Sequence, residues 1–353
     1  MKGIFTVFLT FCFVVVQAQP TGLTSNYINE ERFIHINGIG QWVTIKGDST
    51  KPVVLFLHGG PGSPLSPYAN AIYGQWEKEY TLVQWDQRGS GRTFGANAPE
   101  ELTPAYLRTN PLTLEQMTAD GIELTKYLLK YLNKEKAILF GSSWGSVLGV
   151  KMAQKTPELF YAYIGHSQVV NPAAADLSAY QEVVRRSQKN RDEISLTILQ
   201  QIGKPPYDTA RNAGRFMRIV KKYQQKNGIP APESWFVLSS AYNNKKDSLY
   251  RSEGDDYSFV NYVGDKRLGV SSISSTINLL EDGLNFQIPV YFIQGKEDIQ
   301  TPVAIIKDYF NRVKAPSKKF FLLPKTEHGF NQLVVDAHFN IMKTYIIPAK
   351  NHN

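Results

Sequence analysis

The chain has 353 residues, a net charge of +8, 42% apolar residues and 20% charged residues. That apolar share excludes a disordered or low-complexity chain and supplies a large core. The single cysteine, Cys12, lies in an apolar leader, so a disulfide framework, a cysteine zinc site and a thiol nucleophile are excluded for a mature protein.

The leader comes first. Met1-Lys2 gives a positive start, and residues 4–16 are apolar apart from Thr6 and Thr10. Val16-Gln17-Ala18 then carries the small residues that signal peptidase reads. Residues 1–18 are therefore expected to be a cleavable signal peptide, with the mature protein exported to the periplasm or the medium. Phe11 before Cys12 does not suit a lipoprotein box. No later stretch reaches the ~20 apolar residues of a spanning helix, so no membrane span is expected in the mature protein.

Residues 33–45 alternate around Asn37-Gly38, which predicts a β-hairpin. The runs 53–57, 81–85, 137–140 and 161–164 are nearly continuous in apolar residues, as buried parallel strands are. Between them, 113–133 predicts a helix, with Thr113 and Gln116 as a capping box and Leu124, Leu128 and Leu132 on one face. Strand-helix alternation of this kind implies an α/β sheet. Near Asn171-Pro172 the pattern turns helical and polar, and sheet-like runs return only at 289–294 and 318–323. The expected organisation is a core over 19–172 and 284–353, interrupted by a helical cap over 173–283. Within that insertion, 183–228 holds 11 Lys/Arg against 3 Asp/Glu, an excess that suits a solvated face or a rim for anions. No nucleic-acid module is present, so nucleic acid is not an expected partner.

Gly141-Ser142-Ser143-Trp144-Gly145 follows the strand 137–140 and precedes a helix-compatible stretch. A nucleophile on so tight a turn needs small residues two positions away on each side, and Ser143 is the candidate. His58-Gly59-Gly60-Pro61-Gly62 follows the strand 53–57, where glycines let backbone N–H groups approach an oxyanion. Gly60 and Trp144 would supply those two groups. Of the six histidines, His328, His338 and His352 lie after Ser143 with room for an acid between, as the order Ser, acid, His requires. His338 falls in an expected helix and His352 in the tail, which leaves His328 as base. Asp298, after the strand 289–294, would hold its imidazole, with Glu297 as the alternative.

Together with Asp86-Gln87-Arg88-Gly89-Ser90-Gly91-Arg92-Thr93, these motifs resemble the proline iminopeptidase (prolyl aminopeptidase) branch of the α/β-hydrolase superfamily. The resemblance implies an α/β-hydrolase fold, a mostly parallel central sheet flanked by helices with a helical cap. It implies a two-step acyl transfer by Ser143, His328 and Asp298, with no metal or organic cofactor. The expected substrate is a small molecule or short peptide losing an N-terminal residue such as proline. Asp86 and Arg88 are expected to brace loops. Relatives that open epoxides or remove halogens use an aspartate where this chain has Ser143. Members of this branch hold the substrate's α-amine with cap carboxylates, for which Glu233, Glu253, Asp255 and Asp256 are available here. Two departures stand out: Glu327 replaces the glycine usual before the histidine, and the first half of the cap is basic. An ester or lactone hydrolase with the same residues, and a noncatalytic binding protein, are the competing readings.

Overall fold

The computed structural model describes residues 26–224 and 228–347; the expected signal peptide lies outside them. The hairpin forms from β1 (Tyr27–Ile36) and β2 (Ile39–Asp48), antiparallel from Tyr27 opposite Asp48 to Ile36 opposite Ile39. Its turn places Asn37 at φ 44° and Gly38 at φ 88°, the left-handed pair that a two-residue hairpin loop requires.

In chain order the other elements are β3 (Val53–Leu57), α1 (Ala69–Tyr73), β4 (Thr81–Trp85), α2 (Gly91–Asn97), α3 (Pro104–Thr109), α4 (Leu114–Tyr131), β5 (Ala137–Ser142), α5 (Trp144–Lys155) and β6 (Phe160–His166). A helical segment follows, with α6 (Pro172–Lys189), α7 (Glu193–Ile202), α8 (Ala210–Gln224), α9 (Lys245–Val263) and α10 (Leu279–Asp282). The chain returns to the sheet with β7 (Val290–Gly295), α11 (Val303–Arg312), β8 (Lys318–Leu323) and α12 (Gln332–Ile341). The eight strands run in the order β1-β2-β4-β3-β5-β6-β7-β8, and every pair from β4 to β8 is parallel.

The continuous apolar runs follow from burial on both faces of the sheet. Val53, Leu55 and Leu57 point into one core cluster, with Leu124 and Leu128 of α4 and Val147 and Leu148 of α5. Val54 and Phe56 point into the opposite cluster, with Trp76 and with Val335 and Ile341 of α12. The α4 N-terminus is capped by Thr113, whose side chain accepts from the Gln116 N–H. Leu124 and Leu128 are fully buried there, while Leu132 lies just past the end of the helix and is half-buried.

A third, smaller cluster holds α6, α7 and α8 together through Val183, Leu199, Phe216, Val220 and Tyr223, and Ile299 from the loop after β7 joins it. The helix α9 is bound to the sheet body by a different set of contacts. Ser258 Oγ donates to the Gly89 carbonyl at 2.7 Å, Leu112 N–H donates to Asn261 at 2.9 Å, and Arg92 Nε donates to Asp247 at 2.7 Å. The Arg92 guanidinium also lies 4.6 Å from the Trp42 ring centroid and 3.9 Å from that of Tyr242.

Phe56 is 1% exposed and packs against Tyr73 and Phe140 at centroid distances of 4.6 and 5.2 Å. Phe56→Ala should cost about 3–5 kcal/mol by lost burial and the cavity left behind. Urea unfolding measures this, and a loss under ~1 kcal/mol would mean the surrounding rings collapse into the space.

Candidate active site

The turn from β5 into α5 is built by its glycines. A Cβ on Gly145 would collide with the Leu57 and His58 carbonyl oxygens, and one on Gly141 with the Gly145 carbonyl. With no side chain at either position, the turn packs directly against β3. Ser143 sits at its apex with φ 51° and ψ −121°, a conformation that L-residues avoid and that persists only when surroundings impose it. Its N–H donates to the His166 carbonyl at 3.0 Å, and its carbonyl accepts from Ser146 N–H at 2.8 Å.

The Ser143 hydroxyl meets His328. His328 Nε2 lies 2.8 Å from Ser143 Oγ, and its Nδ1 lies 3.0 Å from Asp298 Oδ2. Asp298 can only accept, so Nδ1 carries the hydrogen and Nε2 offers its lone pair to the serine. Asp298 is buried and accepts from Thr301 N–H at 2.9 Å, Thr301 Oγ1 at 2.6 Å and Gln294 Nε2 at 3.0 Å. Burial works against its charge, but the His328 ring and the Thr301 donors hold its pKa down to about 2. Glu297 is not among the residues lining the cavity; of the two acids weighed from the sequence, Asp298 is the one that reaches His328.

Gly59, Gly60 and Trp144 line the wall beside Ser143. Gly60 has φ +112°, and any side chain there would strike the backbone of Gly62 and Ser63. The Trp144 N–H is the first of α5 and has no acceptor within its own helix. Gln87 ties these two strips of backbone together. Its Nε2 donates to the His58 carbonyl at 3.0 Å, and its Oε1 accepts from Trp144 Nε1 at 3.0 Å. His58 itself is buried, with Nδ1 2.8 Å from the Gly59 carbonyl and Nε2 accepting from Gln87 N–H at 3.2 Å. Burial pushes its pKa down to about 4, so it serves the loop as a neutral ring. Asp86 and Arg88 also brace: Asp86 accepts from Ser66 and from Arg92 N–H, and Arg88 Nε donates to Asp120 at 2.7 Å.

Above these groups opens a cavity of about 1330 Å³ between the sheet and the helical segment, walled in part by Tyr207, Phe216, Phe259 and Tyr262. Glu233 and Glu253 do not line it. Glu233 lies exposed on a short turn ahead of Trp235, and Glu253 stands two residues before Asp255 on α9, on another face of that helix. Asp255 does line the cavity and accepts from Ser63 Oγ at 3.0 Å, while Asp256 is exposed away from it. The acid that stands out is Asp176 on α6. It lines the cavity, and the enclosure alone pushes its pKa up to about 6. Its signal in the sequence was an aspartate following Ala173-Ala174-Ala175 at the start of the insertion, ahead of the basic stretch. Glu327 also belongs to the wall and accepts from the Gly228 N–H at 2.9 Å. Among the described residues, no group of three or more His, Cys, Asp or Glu is arranged to hold a metal ion.

The arrangement can transfer an acyl group: a hydroxyl with a base, an acid that orients the base, and backbone donors at the same wall. Residues 52–331 match the model of the alpha/beta hydrolase fold family. The probable aminopeptidase YbaC of Bacillus subtilis is 29% identical over 300 residues, covering 85% of this chain and 88% of that protein. A probable proline iminopeptidase of Streptomyces coelicolor is 37% identical over 117 residues, 33% of this chain and 32% of that protein. Among solved structures, VinJ superimposes with a TM-score of 0.64 at 20% identity, over 90% of this chain and 98% of that one. The proline iminopeptidase of Mycobacterium smegmatis does so with a TM-score of 0.63 at 16% identity, over 91% of this chain and 100% of that one.

The buried histidines set an acid limit on stability. Burial lowers His58 to about 4 and His166 to about 3, against 6.5 for a free ring. Between those values only the unfolded chain takes up protons, so stability falls as pH drops from 6.5 towards 4. His338 is lowered by burial as well, and the buried carboxyls Asp86 and Asp176, raised to about 6, act the other way. Urea unfolding should give at least about 2 kcal/mol less stability at pH 4.5 than at pH 7; equal values would overturn this balance.

Proposed function

The chain belongs to the alpha/beta hydrolase fold family, and on that premise we propose that it is an exported serine aminopeptidase. The observation that carries the reading is His328 Nε2 at 2.8 Å from Ser143 Oγ, with Asp298 on the far side of the ring. In this reading His328 takes the serine proton as Ser143 attacks the scissile carbonyl. Gly60 and Trp144 N–H groups stabilise the oxyanion, and the protonated ring then delivers its proton to the leaving amine. Water, deprotonated by the same histidine, releases the acyl group from the serine. Asp298 remains ionised throughout and stabilises the imidazolium.

The aminopeptidase direction is supported by the names of the relatives over both long and short matches. It is supported as well by Asp176, a carboxylate whose pKa burial raises to about 6 and which would become fully ionised against a substrate ammonium. Several similar structures are titled epoxide hydrolases, at identities that carry the fold alone. Export rests on the leader, and cleavage there would make Gln19 the first residue of the secreted protein, as N-terminal sequencing would read.

Proline β-naphthylamide and p-nitrophenyl butyrate separate the hydrolase readings. The amide should be cleaved and the ester turned over little. Ser143→Ala should lower amide hydrolysis at least about 10⁴-fold. Asp176→Asn should raise KM for the free-amine substrate about tenfold and leave that of an ester within about twofold. Ester cleavage alone would sink the aminopeptidase reading and leave a carboxylic-ester hydrolase. Absence of both activities, with no fluorophosphonate labelling of Ser143, would leave a binding protein.

A further inference from the structure

Behind the Ser143 turn lies a buried histidine that the acyl-transfer chemistry does not use. His166 ends β6, is 0% exposed and already holds the turn through its carbonyl, which accepts the Ser143 N–H at 3.0 Å. Both of its ring nitrogens are engaged as well. Nδ1 lies 3.0 Å from Ser142 Oγ and Nε2 lies 3.3 Å from Ser167 Oγ. Ser167 Oγ in turn donates to the backbone carbonyl of His328 at 3.0 Å.

The hydrogens in this chain have one consistent arrangement. A carbonyl cannot donate, so the only Ser167 hydroxyl hydrogen goes to His328 O, and towards His166 that oxygen can only accept. Nε2 of His166 must therefore carry its hydrogen, and Nδ1 must accept from the Ser142 hydroxyl. The ring is neutral: burial and the nearby His328 ring lower its pKa to about 3. Phe330 and His338 wall it in at centroid distances of 5.0 and 5.6 Å.

We propose that His166 is a positioning residue whose ring, through Ser142 on one side and Ser167 on the other, fixes the distance between the nucleophile turn and the His328 loop. Ser142 is the immediate neighbour of Ser143, and Ser167 reaches the main chain of His328 itself, so the link joins the two partners whose contact the reaction needs. Ser143 and His328 sit on different elements, 185 residues apart in sequence. This inference rests on the serine-hydrolase reading.

The test combines kinetics with a signature that needs no activity. Ser167→Ala cuts the link at His328 and should lower kcat about tenfold with KM unchanged, since a small displacement of reacting groups acts on the transition state. His166→Phe keeps the ring shape and should lose a similar factor, whereas His166→Gln, which can still accept from Ser142 and donate to Ser167, should recover at least a third of the wild-type rate. The His166→Phe, Ser167→Ala double variant should be no slower than the slower single variant, because both cut one chain. Losses that multiply, or a loss in KM alone, would overturn the proposal. Should the buried substitutions fail to fold, ¹⁵N-histidine spectra of the unmodified protein decide. A neutral Nε2–H ring at His166 is expected at pH 7, and an Nδ1–H or charged ring would sink the proposal. That outcome is distinct from failure of the hydrolase reading, in which the wild-type protein itself resists fluorophosphonate labelling.

Discussion

The geometry of this protein turns on the backbone of Ser143. A φ of 51° with ψ −121° is costly for a serine, by about 1–3 kcal/mol for residues in such regions. It is maintained because β5 and α5 are pressed against β3 by glycines that leave no room for a Cβ, and because His166 pins the N–H. The strain is what lifts the hydroxyl clear of the sheet, at the start of a helix whose first N–H groups point the same way. The surrounding core serves this turn: five parallel pairings and two apolar layers keep β3, β5 and β6 from yielding.

Electrostatics around the turn is strongly partitioned. One carboxylate, Asp298, is buried yet held ionised by His328 and Thr301, and it faces a single ring. The other nearby imidazoles, His58, His166 and His338, are kept neutral by burial. A buried charge without a partner is expensive, and buried carboxylates here have partners, Asp298 with His328 and Asp120 with Arg88, while the other rings serve hydrogen bonds and packing. Across the cavity Asp176 is enclosed on α6, and burial raises its pKa to about 6.

The helical segment is attached unevenly. The helix α9 is tied to the sheet body by Ser258, Asn261 and the Arg92–Asp247 pair, and it touches the glycine loop through Asp255 and Ser63. The α6–α8 group has its own apolar cluster and meets the body at Ile299 and at Gln224, which contacts Gln300 and Asp298. The cavity wall that carries Asp176 is α6, and the wall that touches the glycine loop is α9.

Much of this was legible in the chain. Runs buried on both sheet faces read as strands because both parities are apolar, and the glycine spacing around Ser143 marked the turn because only that spacing relieves its contacts. Chain order left His328, His338 and His352, an expected helix and the tail removed the last two, and the loop after β7 offered Asp298 and Glu297, between which orientation alone decides. Two things were settled by tertiary structure. Which carboxylates face the cavity depends on how α6, α9 and the turn at Glu233 sit against the body, so Glu233 and Glu253 lie outside it while Asp176 and Asp255 line it. The use of His166 is equally invisible in sequence, because its partners Ser142 and Ser167 gain meaning only when β5, β6 and the His328 loop are brought side by side. Local periodicity encodes what a segment becomes; the direction its side chains face is set by contacts between segments far apart in the chain.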